Sequence, residues 1–200
     1  TRKESSAASD VYKRQHIYGH VSAQPKALAE IFGAEHATDA EPESDLAIFA
    51  VNPAAGIDQA TIDLWNSLSD FQLPRLVVVN ELEGSDSDFD DAVLLANRVF
   101  DQLVTPFLVL HSDAGEPTAL IDLQTLEIID YSTSPQSRRD SEHEHKELVA
   151  DFRDEYLEAL EDAGEDAFEA GLLFPAIPVV ISKGIGIDIV NSFIARAATN

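Results

Sequence analysis

Runs of four to six apolar residues alternate with longer amphipathic stretches along most of the chain, as buried strands separated by helices do. Leu46-Ala47-Ile48-Phe49-Ala50-Val51 is the clearest run, and it stops at Asn52-Pro53. Leu76-Val77-Val78-Val79 follows Pro74 and stops at Asn80, Phe107–Leu110 reads as a third strand, and Ile177–Ile181 as the last. Helical spacing fills the intervals. Ala27, Leu28, Ile31 and Phe32 mark a helix within 23–32; Ile62, Trp65 and Leu68 mark one capped by Asp58. Val93, Leu94, Ala96, Val99, Phe100 and Leu103 form the inward face of a third, capped by Asp88, and residues 35–44 read as a polar loop. Ala119–Asp122 and Leu126–Ile129 predict a small hairpin around Gln124-Thr125. Ser141 and Glu144 have capping-box spacing at the head of a long helix with Leu148, Phe152, Leu157 and Leu160 inward, and Ile187 to Ala198 is the final helix. Strands alternating with helices predict a doubly wound, mainly parallel α/β sheet.

Composition narrows this picture. The 200 residues are 44% hydrophobic, enough for one α/β domain, and no apolar stretch reaches the ~18 residues of a membrane helix. The absence of cysteine excludes disulfides and thiolate metal sites, which suits a cytoplasmic location. A formal charge of −24 repels nucleic-acid backbone and anionic lipid, so direct DNA binding and membrane attachment are not expected. Residues 5–15 resemble, residue for residue, the translation of a transposase sequencing adapter. Residues 1–15 are therefore expected to be a non-native leader, with no strand ahead of Tyr18. Residues 16–200 would be a truncated domain, supported by the lack of any methionine.

Doubly wound sheets bind ligands beyond the carboxyl ends of their strands. The residues there are Asn52-Pro53, Asn80-Glu81-Leu82-Glu83, His111-Ser112-Asp113 and Ser182-Lys183-Gly184. In sequence order "GIDQATIDLW", "PRLVVVNELE", the hairpin "TALIDLQTLEIIDY", a long acidic helix and "PAIPVVISKG" resemble the G domain of elongation factor G over most of residues 45–195. The hairpin is the most specific element of that resemblance, being an insertion that small GTPases lack; with the long helix it would occupy about residues 115–170.

The resemblance implies a P-loop NTPase-like fold, and a parent that binds GTP or GDP with Mg²⁺ and hydrolyses GTP on the ribosome. In the family's Asn-Lys-x-Asp motif the matching positions are Asn80, Glu81, Leu82 and Glu83. Asn80 and Glu83 would bind the guanine, while Glu81 reverses the lysine's charge and should weaken that binding substantially. In the last motif Ser182 matches and Lys183 stands where the family has alanine. Gly19-His20 reads as the remnant of Asp-x-Pro-Gly-His, which would make His20 the residue that positions the attacking water. No G-x-x-x-x-G-K-[ST] loop occurs, so the fragment itself is expected to bind no nucleotide, hold no cofactor and be inactive.

The rival within the family is a pseudo-GTPase serving as a non-catalytic ribosome- or partner-binding module. A flavodoxin-like receiver, using Asp113 and Lys183, is more distant. Asp86-x-Asp88-x-Asp90 lacks the glycine and glutamate of a calcium loop, so Asp88 is expected to be a helix cap. His143 and His145 point apart on a helix, so no metal site is expected, and Trp65 reads as core rather than as a stacking platform.

Overall fold

The computed structural model describes residues 14–80 and 88–198. The strands of the larger sheet are β1 (Gln15–Gly19), β2 (Glu35–His36), β3 (Leu46–Val51), β4 (Arg75–Val79), β5 (Leu103–Val104) and, later in the chain, β10 (Phe174–Pro178). They lie in the order β2-β1-β3-β4-β10-β5, all parallel where they pair. A second, antiparallel sheet has the order β6 (Phe107–His111), β7 (Pro117–Asp122), β8 (Glu127–Asp130), β9 (Ser137–Asp140). The helices are α1 (Pro25–Phe32), α2 (Gln59–Leu68), α3 (Phe89–Ala96), α4 (His143–Leu148), α5 (Ala150–Ala163) and α6 (Ile187–Ala197).

The two-faced burial of the apolar runs follows from strand periodicity. Ala47, Phe49 and Val51 of β3 join a core with Trp65 and Leu68 of α2 and Phe89 and Val93 of α3. Leu46, Ile48 and Ala50 face the opposite way, toward Leu28 of α1 and Val190 and Phe193 of α6. The mixed α/β architecture, with a mainly parallel sheet covered on both faces, is as expected.

Several local expectations require correction. A strand, β1, does precede His20: Gln15 pairs with Leu46 and His16 with Ala47, and Ile17 and Tyr18 are fully buried. Gln15, assigned to the leader, thus opens a core strand, while residues 1–13 lie outside the described residues. The polar loop at 35–44 holds the two-residue β2 against β1. In the third helix Leu94 is 60% exposed, and Leu103 lies in β5 beyond the helix end.

The Phe107–Leu110 run is antiparallel to β7 and belongs to the second sheet, so His111-Ser112-Asp113 does not follow a parallel strand. The hairpin is the middle of four strands. The Ser141 capping box does not form, because the Ser141 N–H donates to the Leu126 carbonyl and completes the end of β9; Glu142 occupies the cap position. The long helix is interrupted at Val149 (φ −100°, ψ 4°), whose buried side chain anchors the break. Tyr156 is buried there, while Leu148 is 73% exposed. The last strand ends at Pro178, since Gly184 and Gly186 at positive φ turn the chain back so that Ile185 pairs with Val180. Two smaller expectations hold: Asp88 caps α3 by accepting from the Asp91 N–H at 2.9 Å, and Trp65 is core.

Candidate functional site

Because β1, β3, β4 and β10 are parallel, their carboxyl ends share one edge of the sheet. That edge gathers His20 after β1, Asn52 after β3, Asn80 after β4 and the residues following Pro178. The Val179 N–H donates to the Val79 carbonyl at 2.8 Å, tying the last segment to the strand that carries Asn80.

The chain leaves β1 through Gly19, at φ +145°, where a Cβ would stand 2.5 Å from the Ala50 carbonyl oxygen; only glycine fits. His20 then caps a single 3-10 turn, Val21–Ala23, and Gln24 follows in the left-handed region at φ 54°. The Ser22 N–H donates to His20 Nδ1 at 3.3 Å, which makes Nδ1 an acceptor. The Ser22 hydroxyl, 2.8 Å from the same nitrogen, must therefore donate as well. With Nδ1 accepting, Nε2 is left as the ring's donor on an exposed residue, a group suited to orienting an oxygen.

The turn is held over the sheet edge by two strand-end amides. Asn52 Nδ2 donates to the Ser22 carbonyl at 2.9 Å and Asn80 Nδ2 to the Ala23 carbonyl at 3.1 Å. Asn52 Oδ1 accepts from the Ala54 N–H at 2.9 Å, and the Asn80 N–H donates to the Val51 carbonyl at 2.9 Å. Asn80 is 1% exposed, as is Ala23, so the turn covers the Asn80 side chain.

Ser182 sits in the 3-10 turn Ile181–Lys183, beyond β10. Lys183 reaches toward the second sheet: its ammonium is 2.9 Å from Glu116 Oε2 and donates to the Pro117 carbonyl at 3.2 Å. Glu81 and Glu83 lie outside the described residues. The structure therefore brings His20, Asn52 and Asn80 together through one turn and directs Lys183 elsewhere. Sequence reasoning gave Asn52 no role and missed Ser22. The available signals were a strand ending in Asn-Pro, as the neighbouring strand ends in Asn, and the His-x-Ser spacing.

No protein-family model matches the chain. The elongation factor G-like protein of Mycobacterium tuberculosis is 26% identical over 167 residues, covering 72% of this chain and 23% of that protein. The elongation factor G-like protein of Thermotoga maritima is 24% identical over 170 residues, covering 76% and 25%. A crystal structure of a Thermus thermophilus protein superposes with a TM-score of 0.66 at 24% identity, over 78% of this chain and 27% of that one. The chain is thus similar to the G domain of elongation factor G-like proteins, as a partial and divergent match. It spans about a quarter of the length of these relatives. Its antiparallel sheet and the α4–α5 pair lie between β5 and β10 in the chain.

Proposed function

We propose that this G-like domain is a fragment of a cytoplasmic translational GTPase whose intact parent binds and hydrolyses GTP, with Mg²⁺, on the ribosome. The observation that supports this best is the convergence of His20, Asn80 and the Ser182 turn on the carboxyl edge of one parallel sheet. In the parent, Asn80 and Glu83 would bind the base, the Ser182-Lys183 backbone would flank it, and His20 would orient a water. The antiparallel sheet with α4–α5 would be the family's insertion. Among the described residues, no helix is long and apolar enough to cross a membrane.

Two of these side chains are already engaged within the fold. Asn80 is covered and its amide is engaged by Ala23, and Lys183 is paired with Glu116. The surrounding charge of −24 opposes a triphosphate. No catalytic step is therefore assigned to the fragment. Titration of the 200-residue chain with fluorescent GDP and GTP is expected to show no saturable binding, and guanine-selective binding would overturn that. A full-length parent without G-x-x-x-x-G-K-[ST] would sink the GTPase assignment.

A further inference from the structure

β1 is an interior strand, paired with β2 on one side and β3 on the other, and it runs directly into a turn and helix α1 at the carboxyl edge. A strand, turn and helix so placed is the setting in which G-x-x-x-x-G-K-[ST] holds phosphate, through consecutive backbone N–H groups and a lysine. The spacing of that pattern is kept here. Gly19 leaves the strand, four residues follow, and Gln24, Pro25 and Lys26 stand where the second glycine, the lysine and the hydroxyl residue would be. Gln24 even holds a left-handed conformation, φ 54° and ψ 47°, that glycine adopts without strain. The donors of a phosphate cradle, however, are taken up. The Ser22 N–H goes to His20 Nδ1 at 3.3 Å, and the Ala23 and Gln24 N–H groups go to the His20 and Val21 carbonyls, both at 3.0 Å. Pro25 has no N–H. Four consecutive positions therefore present no backbone donor to a ligand.

We infer that residues 19–26 occupy the place of a phosphate loop and have lost phosphate binding by substitution, with Gln24 and Pro25 the residues responsible. The lysine charge has moved one residue on, to the exposed Lys26. One residue along a helix is a rotation of about 100°, which carries that charge away from the position Pro25 holds. The triphosphate and Mg²⁺ that the family resemblance implies do not fit the turn as built. From the proposed function this inference takes only the carboxyl edge as the nucleotide's place, and it runs against the hydrolytic half of that reading. His20 becomes the second residue of the turn and its cap. A domain of this kind meets its partners in a single state, since it has no phosphate contacts to order a switch segment.

Magnesium tripolyphosphate carries no base, so as a probe its outcome is read apart from the guanine titrations above. The unaltered 200-residue chain should show no saturable change in the amide NMR signals of Ser22, Ala23, Gln24, Lys26 and Ala27. The triple variant Gln24→Gly, Pro25→Lys, Lys26→Thr writes G-x-x-x-x-G-K-T into the turn. It should bind the probe saturably and at least about tenfold more tightly than the unaltered chain, the gain that one charge-assisted hydrogen bond implies. Its shifts should centre on the same residues. Saturable binding by the unaltered chain at these amides, or a folded triple variant that binds no better, overturns the inference. Should the variant not fold, the unaltered protein decides. Its Ala23 and Gln24 amides must exchange more slowly than unstructured amides, and tripolyphosphate must leave them so. Exchange at the unstructured rate would mean that the turn does not hold its own donors, and refutes the inference.

Discussion

The two ends of the parallel sheet are built from different chemistry. At the amino end, the guanidinium of Arg75, the first residue of β4, lies 4.2 Å from the ring centres of both Trp65 and Phe174. It is 4% exposed, pairs with Asp101 at 3.2 Å and donates to Ser69 Oγ at 3.1 Å, while Asp101 also accepts from the Trp65 indole at 3.0 Å. Burial pulls the Arg75 pKa below its ordinary value and Asp101 opposes that shift, while the guanidinium stays charged. At the carboxyl end, over β3 and β4, two neutral amides hold an exposed turn. A buried charge between aromatic rings is costly to disturb, whereas neutral hydrogen bonds to a solvent-facing turn open easily. The amino end thus fixes the fold, and the carboxyl end is where local change is tolerated.

The largest effect should follow from breaking the amino end. Arg75→Ala opens a void between Trp65 and Phe174, so we expect a loss of about 2–5 kcal/mol in urea denaturation. A loss no greater than that of Asn52→Asp would erase the contrast between the ends. Next, Gly19→Ala tests the most rigid point of the carboxyl end. Its positive φ and the 2.5 Å approach to Ala50 predict a loss of about 1–3 kcal/mol for the strained backbone. The same denaturation measurement checks it, and a neutral outcome would show that β1 does not close against β3 as described.

How much of this was legible beforehand depended on burial. β3 and β4 were readable because both faces of each are covered, so the apolar run is uninterrupted. Phe107–Leu110 gave the same signal but belongs to the antiparallel sheet; a short run does not encode its partner's direction. Leu148 and Phe152 looked like a helix face, yet Val149 breaks the helix and takes the buried position. β1 went unread because its residues Gln15 and His16 are polar though buried, and a neighbouring non-protein pattern masked them. Of the site, the strand-end asparagine was legible as Asn80, whereas its bond to Ala23 joins residues 57 apart and leaves no local trace.

The helix α6 carries the contrast at its two ends, which permits finer tests. Near the carboxyl edge, the Tyr131 hydroxyl donates to Asp188 Oδ1 at 2.6 Å and fastens the second sheet to the first turn of α6. Burial, then Asp188, raise the Tyr131 pKa, so it remains a donor throughout the physiological range. Tyr131→Phe should cost about 1–2 kcal/mol. Its thermal unfolding should show no new pH dependence near neutrality, and a pH-dependent loss there would contradict the assignment of the phenol as donor.

At the other end of α6, Arg196 makes two bonds to Glu169, at 2.7 and 3.2 Å, beside the rings of Phe168 and Phe193. Burial pushes the Glu169 pKa up, but the hydrogen bonds and charge of Arg196 outweigh it, leaving the carboxyl below its ordinary value. A carboxyl so depressed contributes stability above the ordinary glutamate range, and that contribution fades as pH falls through the lower folded value. With Arg196 45% exposed, solvent screening limits the effect to about 0.5–1 kcal/mol. Glu169→Gln should therefore lower stability slightly at pH 7 and not at all at pH ~2.5, flattening the acid limb of the denaturation profile. The amides holding the Val21–Ala23 turn do not titrate, so exchange at Ala23 in this variant should show the same pH profile as in the unaltered chain once intrinsic exchange is divided out. A Glu169→Gln profile parallel to that of the unaltered protein would mean that the acid sensitivity of the amino end resides elsewhere than in this pair.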